Sequence, residues 1–297
     1  MAKERITEAV KKGRILVSDG AWGTFLQKKG MKPGDCPEAW CVDRPADVRD
    51  IGKSYIDAGA DMIESCSFGG TSFKLTHFGH GDKVESFNMA AAKLSREAAG
   101  EKWVIASVGP TGKILMTGEV TEDDLYNAFK AQSIALEKGG ADALCIETMS
   151  DLDEAKIAIR AAKENTKCEV ICTFTFEKTP KGEYRTMMGV SPADAARELV
   201  AAGADIIGTN CGNGIRGMID VVTEMRTVDT ATPVLVHANA GLPKNVNGVD
   251  VFPETPEEMA SQIPALLKAG ANIVGGCCGT TPAHIRAMKK AVKDYRA

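Results

Sequence analysis

The sequence lacks an excess of positive charge and lacks any long apolar run. Its 36 Lys and Arg residues are outnumbered by 40 Asp and Glu residues, which gives 297 residues a formal net charge of −4. No positive field attracts a phosphate backbone or an anionic lipid surface, so neither nucleic acid nor a membrane is expected as a partner. No segment approaches the roughly 18 charge-free apolar residues of a membrane span, and the charged N-terminal segment does not resemble a signal peptide. We expect a cytoplasmic protein with a small-molecule substrate.

Histidine is scarce, and its few copies are too dispersed to predict a metal cluster: His77, His80, His237 and His284. We expect His237 to be a hydrogen-bonded core residue and His284 to lie on the surface of the last helix. Cysteine, by contrast, occurs nine times, in a chain too large to need disulfide staples. In a reducing compartment such residues are buried thiols, metal ligands or nucleophiles.

A four-residue signal recurs along the chain. It has the sequence AGAD or a close variant and stands between a helical stretch and a short apolar run, at 58–61, 139–142, 202–205 and 269–272. Glycine can adopt the left-handed conformation that ends a helix, so each copy predicts a helix that stops and a strand that begins at once.

Eight strands and eight helices are predicted in strict alternation. The strands are mostly continuous apolar runs, as in parallel strands buried on both faces: Ile15–Asp19, Met62–Phe68, Trp103–Val108, Ala143–Thr148, Val170–Phe176, Ile206–Cys211, Pro233–Asn239 and Ile273–Cys278. The helices cover about 46–58, 83–98, 122–138, 152–164, 192–202, 215–227, 256–269 and 282–293. This alternation favours an α/β fold of the (β/α)8 TIM barrel type over a doubly wound open sheet. Without a composition break, residues 1–297 are expected to form a single barrel domain.

The carboxyl ends of the strands are where such a barrel places its functional groups. These ends carry Asp19, the segment 64–67, Gly109, Glu147, Asn210-Cys211, Asn239 and Cys277-Cys278. Three cysteines and several carboxylates or amides would therefore meet at one opening. Three thiolates match a tetrahedral zinc site with one open position for a substrate. No lysine stands at the sixth strand end, where a Schiff-base aldolase would need one.

The adjacent cysteines Cys277 and Cys278 pose a geometric problem. Neighbouring side chains of a regular strand point to opposite faces, so the two thiols can share a metal only if the backbone bends between them. The flanking glycines, Gly275, Gly276 and Gly279, supply that freedom. A pair of small buried residues and a vicinal disulfide are the alternatives. Five other cysteines are expected to be buried thiols, namely Cys36, Cys41, Cys145, Cys168 and Cys172, whereas Cys66 could line the pocket.

Several segments together resemble the homocysteine S-methyltransferase family over nearly the whole chain. They are VSDGAWGTFL (17–26), IETMSDLDEAK (146–156), IIGTNCGNG (206–214), HANAGLP (237–243) and IVGGCCGTTPAHIRAM (273–288). Within that family the nearest resemblance is to the N-terminal homocysteine-binding barrel of the cobalamin-dependent methionine synthases.

The resemblance implies zinc held by Cys211, Cys277 and Cys278. It also implies that Asp19 and Glu147 hold the ammonium group of the substrate, and that Asn239 is a possible exchangeable fourth ligand of the metal. Cys66, Ser67 and Gly109 are expected to complete the substrate pocket. The implied reaction is zinc-dependent methylation of a thiol, homocysteine above all, which gives methionine. The methyl group would come from methylcobalamin or another methylated corrinoid carried by a partner protein.

One segment departs from the family pattern and keeps other functions open. Where the methionine-synthase branch usually has ETNTFGAN, this chain has ESCSFGG at 64–70, which changes the mouth at Cys66 and Ser67. A corrinoid-linked methyltransferase for another methylated or thiol substrate is therefore an alternative. A zinc-free barrel lyase and a non-catalytic zinc-binding barrel are alternatives of another class. The glycines of 212–217 also match GxGxxG, although the amides there could instead bind a substrate carboxylate.

Overall fold

The computed structural model describes residues 3–246 and 249–295. Eight parallel strands form its central sheet and are labelled β1 to β8 in chain order: Leu16–Val17, Met62–Ile63, Trp103–Val108, Ala143–Met149, Glu169–Phe174, Ile206–Gly214, Val234–Asn239 and Ile273–Gly276. Eight helices follow these strands and are labelled α1 to α8: Pro45–Asp57, Val84–Ala99, Glu122–Lys138, Leu152–Asn165, Pro192–Ala201, Ile215–Met225, Pro256–Ala269 and Pro282–Asp294. Among the described residues, no helix is long and apolar enough to cross a membrane.

The sheet is an almost closed barrel. Consecutive strands from β2 to β8 pair in parallel, and β8 pairs in parallel with β1. At the remaining seam, between β1 and β2, the backbone N–H of Asp61 donates to the carbonyl of Val17 at 2.6 Å. The Asp61 carboxylate in turn accepts a hydrogen bond from the N–H of Val17 at 2.9 Å. These contacts confirm the predicted (β/α)8 TIM barrel.

The recurring AGAD signal has the same structure at all four places. Its last glycine has a positive φ of 103°, 102°, 93° and 115° at Gly59, Gly140, Gly203 and Gly270, a conformation that ends a helix without steric cost. The following acidic or amide side chain accepts a hydrogen bond from a backbone N–H of the neighbouring strand at 2.8–2.9 Å, in the pairs Asp61–Val17, Asp142–Val104, Asp205–Val170 and Asn272–Val234. The signal therefore joins the strands as well as starting them.

A short N-terminal helix that the sequence patterns did not predict, Ile6–Lys11, covers the amino end of the barrel. Its Ile6 and Ala9 side chains pack with apolar residues contributed by all eight strands. The Glu169 carboxylate accepts hydrogen bonds from the N–H groups of Ile6 and Thr7 at 2.6 and 3.0 Å, which caps the helix start. The barrel is thereby closed at the end opposite its functional loops.

Further short elements lie in the βα loops. The loop after β1 holds the helices Gly23–Lys28 and Trp40–Asp43 and a 3₁₀ turn at Pro37–Ala39, and the loop after β2 holds the helix Ser72–His77 and a 3₁₀ turn at Gly81–Lys83. A 3₁₀ turn, Leu115–Thr117, follows β3. Two-stranded hairpins follow β5 and β7, at Glu177–Lys178 with Tyr184–Arg185 and at Lys244–Val246 with Val249–Val251. These loops surround one end of the barrel.

Candidate metal and substrate site

Three cysteines meet at the carboxyl end of the barrel. The sulfur atoms of Cys211, Cys277 and Cys278 all lie within 4.8 Å of one another. The Sγ atoms of Cys211 and Cys277 lie 2.8 Å apart. Cys211 belongs to β6 and the other two follow the end of β8, so strands separated by β7 supply the cluster. The predicted convergence of these thiols is present in the structure.

The glycines around Cys277 and Cys278 are needed for space as well as for bending. A Cβ atom at Gly275 would lie 2.9 Å from the carbonyl oxygen of Asp19 and 2.9 Å from Cδ2 of His237, closer than real Cβ contacts. The strand stops at Gly276, and a turn follows in which the N–H of Thr280 donates to the carbonyl of Cys277 at 3.1 Å. Gly279 completes the turn with φ +82°. The chain thus leaves the sheet at the point where two consecutive thiols must face one side.

Cys211 takes an unusual backbone conformation. Its φ is +57°, in the left-handed region that non-glycine residues rarely occupy, and the pairing of β6 with β7 shifts register between Cys211 and Gly214. Thr148, at the end of β4, has a similar φ of +61°. Such conformations cost on the order of 1–3 kcal/mol each and persist where the surrounding contacts enforce them. Here they turn a thiol and a neighbouring carboxylate toward the same space.

The donor set of the cluster fits a thiophilic metal such as zinc. Zinc binds cysteine sulfur at about 2.3 Å, and a tetrahedral arrangement at that distance separates two sulfur atoms by about 3.8 Å. The three sulfur atoms lie within 4.8 Å of one another, and the pair Cys211 and Cys277, at 2.8 Å, would have to open by about 1 Å to reach that separation. Hydrogen bonds from the Cys211 and Cys277 thiols lower the pKa of Cys278, whereas hydrogen bonding to Cys211 and Cys278 raises the pKa of Cys277, so one of the three sulfurs is favoured as an anion. Three cysteine ligands leave one tetrahedral position for a further ligand.

A cavity of about 410 Å³ opens above the cluster. One part of its wall is apolar, formed by Trp22, Leu26, Pro37, Phe68 and Phe78. The polar part includes three carboxylates, from Glu38, Glu64 and Glu147, the ammonium group of Lys74 and the three cysteines of the cluster. This division suits a substrate with an apolar stem, a sulfur atom and a positively charged group.

Glu147 faces the cavity and is held from two sides. It is 6% exposed; the hydroxyl of Ser107 donates to its Oε1 atom, and Nδ2 of Asn210 lies 3.3 Å from its Oε2 atom. Burial raises the pKa of this carboxyl well above its usual value, and the nearby Glu64 carboxylate adds to the rise. A bound cation would compensate this cost of burying a negative charge.

Asp19 does not line the cavity. It is fully buried behind Glu64, and its Oδ2 atom accepts hydrogen bonds from Nε1 of Trp22 and from the N–H of Glu64, both at 2.8 Å. The hydroxyl of Ser18 donates to its other oxygen at 3.1 Å. The structure therefore connects Asp19 to two cavity residues and places it outside the lining itself.

Two other residues of the expected pocket do line the cavity, Cys66 and Ser67. The Cys66 thiol is directed to the carbonyl of Pro37 at 3.4 Å. The Ser67 hydroxyl donates to the carbonyl of Ser107 at 2.7 Å and is 2.6 Å from the hydroxyl of Ser65. These contacts bend the chain after Ile63, which is why β2 is shorter than the predicted strand.

Gly109 and Asn239 lie outside the residues that line the cavity. The N–H of Gly109 donates to the carbonyl of Phe68 at 2.9 Å, and a Cβ atom there would lie 2.6 Å from the Phe68 ring. Asn239 is 6% exposed, and its Nδ2 atom lies 3.5 Å from the carbonyl of Gly212. Its Oδ1 atom is buried and finds no hydrogen-bond partner within 3–246 and 249–295.

Glu64 is the site residue to which the sequence patterns assigned no role. It follows β2 directly, and its Oε1 atom is buried 3.3 Å from Nδ1 of His237. His237 lies in the core, as expected, and burial lowers its pKa, but its buried Nε2 atom has no hydrogen-bond partner among the described residues. The sequence signal available for Glu64 was its position at the end of a predicted strand. The residues from Ser65 to Ser67 share that position, so the signal did not distinguish Glu64 from them.

Two other expectations for this end of the barrel are corrected by the structure. His284 was expected on the surface, yet it is 6% exposed, because Nδ1 bonds to Thr281 and Nε2 lies 3.0 Å from the carbonyl of Glu254. The amides at 212–217, within a GxGxxG pattern of the kind that binds dinucleotides, were considered for a substrate carboxylate. The carboxylate of Glu254 instead accepts a hydrogen bond from the N–H of Ile215, at the start of α6. The chain itself supplies the anion that this helix start favours.

Comparisons with known proteins agree with the sequence resemblance. The family description that matches this chain is homocysteine S-methyltransferase, over residues 16–292. The chain is similar to the methionine synthases of Mycobacterium tuberculosis and Mycobacterium leprae, each 31% identical over 95% and 94% of this chain. It spans about a quarter of the length of these relatives, 25% and 24%.

Among solved structures, the chain is similar to the metallated form of the homocysteine methyltransferase MmuM from Escherichia coli. The TM-score is 0.78 and the identity 23%, with 95% of this chain and 97% of that chain covered. At this identity the likeness shows a shared fold.

Proposed function

Because this chain belongs to the homocysteine S-methyltransferase family, we propose that it transfers a methyl group to the thiol of L-homocysteine and gives methionine. The observation that supports this most directly is the three-cysteine cluster at one end of a cavity that is also lined by the buried carboxylates of Glu38, Glu64 and Glu147. We further propose that residues 1–297 form a single barrel domain; the family match over 16–292 supports this.

The proposed metal is zinc, held by Cys211, Cys277 and Cys278. Bound zinc favours the deprotonated form of a fourth thiol and would make a substrate thiol a thiolate near neutral pH, although a free thiol has a pKa of about 8.5. Asn239 is the proposed exchangeable fourth ligand. Its support is the buried Oδ1 atom, for which the described part of the chain provides no partner.

Glu147 is proposed to hold the ammonium group of the substrate. Its oxygens are oriented by the Ser107 hydroxyl and the Asn210 amide, so the carboxylate is fixed before a substrate arrives. A fixed carboxylate loses little conformational entropy on binding a cation. Asp19 supports the same wall of the cavity through Trp22 and the backbone of Glu64.

The chemistry required of the chain is to place a substrate sulfur and limit the access of water. The substrate thiolate attacks the methyl carbon in line; the new S–C bond forms as the bond from carbon to the donor breaks, and the donor keeps both electrons of that bond. The proton lost by the thiol passes to solvent. The apolar wall around Trp22, Leu26 and Phe78 excludes water from the attacking sulfur.

The proposed methyl donor is methylcobalamin or another methylated corrinoid, bound to a partner protein or to a further domain. The support for this donor is the similarity to methionine synthases, of which the chain spans about a quarter. Methionine formation from homocysteine should be measured separately with free methylcobalamin, S-methylmethionine and glycine betaine as donors. Turnover with methylcobalamin alone supports the corrinoid proposal, and turnover with either of the other donors alone contradicts it.

The thiol proposal is tested by loading the protein with cobalt(II), whose thiolate bonds absorb visible light, and titrating it with L-homocysteine. A stronger, shifted sulfur-to-cobalt band is the expected result, because a fourth thiolate enters the site. A three-cysteine cobalt spectrum that homocysteine leaves unchanged would contradict homocysteine as the acceptor. A protein that binds no cobalt at the cysteines would contradict the metal proposal itself.

A different thiol or methylated acceptor is the second candidate. The observation that favours it is the wall segment at Cys66 and Ser67, which departs from the family pattern and lines the cavity. The cobalt titration distinguishes the two candidates when other thiols are added in place of homocysteine. A spectral change with another thiol and none with homocysteine would favour the second candidate.

A further inference from the structure

Glu254, which precedes α7 by one residue, contacts three separate segments at the carboxyl end of the barrel. These are the segments that carry Cys211, Asn239 and the pair Cys277-Cys278. Glu254 itself is not among the residues that line the cavity. We infer that it is a positioning residue for the metal, which holds the three segments at the spacing that the metal ligands require. This inference rests on the proposed zinc site and adds to it a residue that is no ligand.

The side chain of Glu254 joins the segment of Cys211. Its carboxylate accepts a hydrogen bond from the N–H of Ile215, which follows Cys211 closely and begins α6. A Cβ atom at Gly214 would lie 2.7 Å from Oε1 of Glu254, so the carboxylate lies directly against this turn of the chain. The N–H groups of a first helical turn have no partner within the helix. Removal of the carboxylate would therefore leave such a group without an acceptor and release the end of β6.

The backbone of Glu254 joins the other two segments. Its N–H donates to the carbonyl of Ala240 at 2.9 Å, next to Asn239 at the end of β7. Its carbonyl oxygen lies 3.0 Å from Nε2 of His284, in the first turn of α8. The N–H of Thr281 donates to Nδ1 of the same ring at 3.1 Å, so the neutral ring carries its proton on Nε2 and donates it to Glu254. This bond explains why His284 is buried.

The neighbours of Glu254 cover the turn that carries the two adjacent cysteines. The N–H of Ala240 donates to the carbonyl of Cys278 at 3.0 Å, so the end of β7 is bonded to the cluster itself. A Cβ atom at Gly279 would lie 2.2 Å from Cγ of Phe252, which means that this ring lies directly on the turn. The segment 252–254 thus lies across the turn at one end and against the start of α6 at the other.

The spacing of the cluster depends on the segments that Glu254 connects. The Sγ atoms of Cys211 and Cys277 lie 2.8 Å apart, whereas tetrahedral zinc would separate them by about 3.8 Å. A shift of about 1 Å must therefore be shared between the end of β6 and the turn after β8. Glu254 is bonded to the helices that follow both places. Residues that orient metal ligands in this way contribute about ten- to a hundredfold to metal affinity.

The affinity for zinc in Glu254→Ala tests the inference, measured by competition with a colorimetric chelator. We expect this affinity to fall about ten- to a hundredfold. Glu254→Gln keeps an oxygen at the same reach, and its amide nitrogen would take the place of Oε2, a buried atom with no partner among the residues described. It loses only the charge beside a helix start, so its affinity should stay within about fivefold of the wild type. An unchanged affinity in Glu254→Ala would overturn the inference.

Glu154→Ala is the matched control for a general loss of stability. Glu154 is also a buried carboxylate that holds a βα loop, because it accepts hydrogen bonds from the N–H and the hydroxyl of Thr111 at 2.8 and 2.5 Å. This loop follows β3, whereas the cluster belongs to β6 and β8. Urea denaturation of the metal-free variants should show comparable destabilisation, while Glu154→Ala keeps the zinc affinity of the wild type. An equal loss of affinity in both alanine variants would overturn the positioning role.

Hydrogen exchange of the wild-type protein decides the question if Glu254→Ala does not fold. The N–H of Ile215 donates to the Glu254 carboxylate, and the N–H of Glu254 donates to Ala240. We expect both amides to exchange about fivefold more slowly or less when zinc is added, because the bound metal suppresses local opening of the segments that Glu254 connects. The N–H of Thr111 should exchange at an unchanged rate. Exchange at Glu254 that zinc does not slow would overturn the inference.

The same measurements separate this inference from the proposed function. If the wild-type protein binds no zinc at its cysteines, the metal proposal fails and the positioning role fails with it. If the wild-type protein binds zinc tightly and Glu254→Ala binds it equally well, the metal site stands and the role of Glu254 does not.

Discussion

Asn210 and Thr148 hold each other through two hydrogen bonds. The N–H of Thr148 donates to Oδ1 of Asn210 at 2.8 Å, and Nδ2 of Asn210 donates to Oγ1 of Thr148 at 2.7 Å. Thr148 follows the cavity carboxylate Glu147, and Asn210 precedes the cluster thiol Cys211. Thr148 and Cys211 both have positive φ. One strained residue is therefore a member of the pair, and the other directly follows Asn210. The amide therefore fixes the carboxylate and the thiol relative to each other.

Asn210→Ala is expected to lower the free energy of unfolding by about 2–4 kcal/mol, because it leaves the buried groups that Asn210 pairs with, at Thr148 and Thr173, without partners. Urea denaturation measures this change, and a cobalt titration should show weaker metal binding. Thr173→Val is the matched control, since it removes one hydrogen bond to the same Oδ1 atom and should cost about 1 kcal/mol. Equal losses in the two variants would contradict a special role for the Asn210 network.

Cys211→Ala is expected to lose tightly bound zinc, since two sulfur ligands hold the ion far less well than three. Zinc content after dialysis, measured by inductively coupled plasma mass spectrometry, gives the result. Cys172→Ala removes a buried thiol of β5 outside the cluster and should retain zinc at the wild-type level. A full equivalent of zinc in Cys211→Ala would rule out the three-cysteine site.

The elements of the fold that the sequence predicted are those with local causes. The helix stop at Gly140 and the hydrogen bond from Val104 to Asp142 involve residues that the AGAD signal itself contains or that begin the neighbouring strand. By contrast, the helix Ile6–Lys11 is capped by Glu169, which is 163 residues away from Ile6. Its six residues are too few for a periodic pattern to be distinguished, so it could not be predicted.

The sequence predicted part of the candidate site, as it predicted part of the fold. The strand ends placed the cysteines at one opening, and the family resemblance selected Cys211, Cys277 and Cys278. The sequence could not predict that Glu64 lines the cavity and that Asp19 does not, because this depends on where the chain leaves the sheet. The predicted strand ran to Phe68, whereas β2 ends at Ile63 and serine contacts bend the next residues toward the cavity. Such side-chain contacts have no signature in hydrophobic periodicity.

Gly275→Ala is expected to destabilise the protein by about 1–3 kcal/mol or more, the usual cost of overpacking a core. The added Cβ atom would lie 2.9 Å from the Asp19 carbonyl oxygen, which cannot move without disturbing β1. Gly23→Ala is the control, because no atom of the described residues lies within 4 Å of its added Cβ and this position begins a helix. It should be neutral or stabilising by up to about 1 kcal/mol. Thermal unfolding of both variants tests the difference, and equal stabilities would show that space at Gly275 is not limiting.

Asp61→Ala is expected to open the seam between β1 and β2. The variant leaves the N–H of Val17 without its acceptor and removes the ion pair with Lys289, so a loss of about 2–4 kcal/mol in the free energy of unfolding is expected. Asn272 indicates which contact matters. It occupies the position equivalent to Asp61 between β7 and β8, and its uncharged side chain accepts the hydrogen bond from the N–H of Val234.

Asp61→Asn should therefore retain the hydrogen bond to Val17 and cost only about 1 kcal/mol, the part contributed by the ion pair. Asp57→Ala is the control, since Asp57 is an exposed helix residue paired with Lys53, and its removal should change stability by less than about 0.5 kcal/mol. Urea denaturation of the three variants distinguishes the contributions. A loss in Asp61→Asn as large as that in Asp61→Ala would mean that the charge pair with Lys289 holds the seam and that the backbone acceptor is secondary.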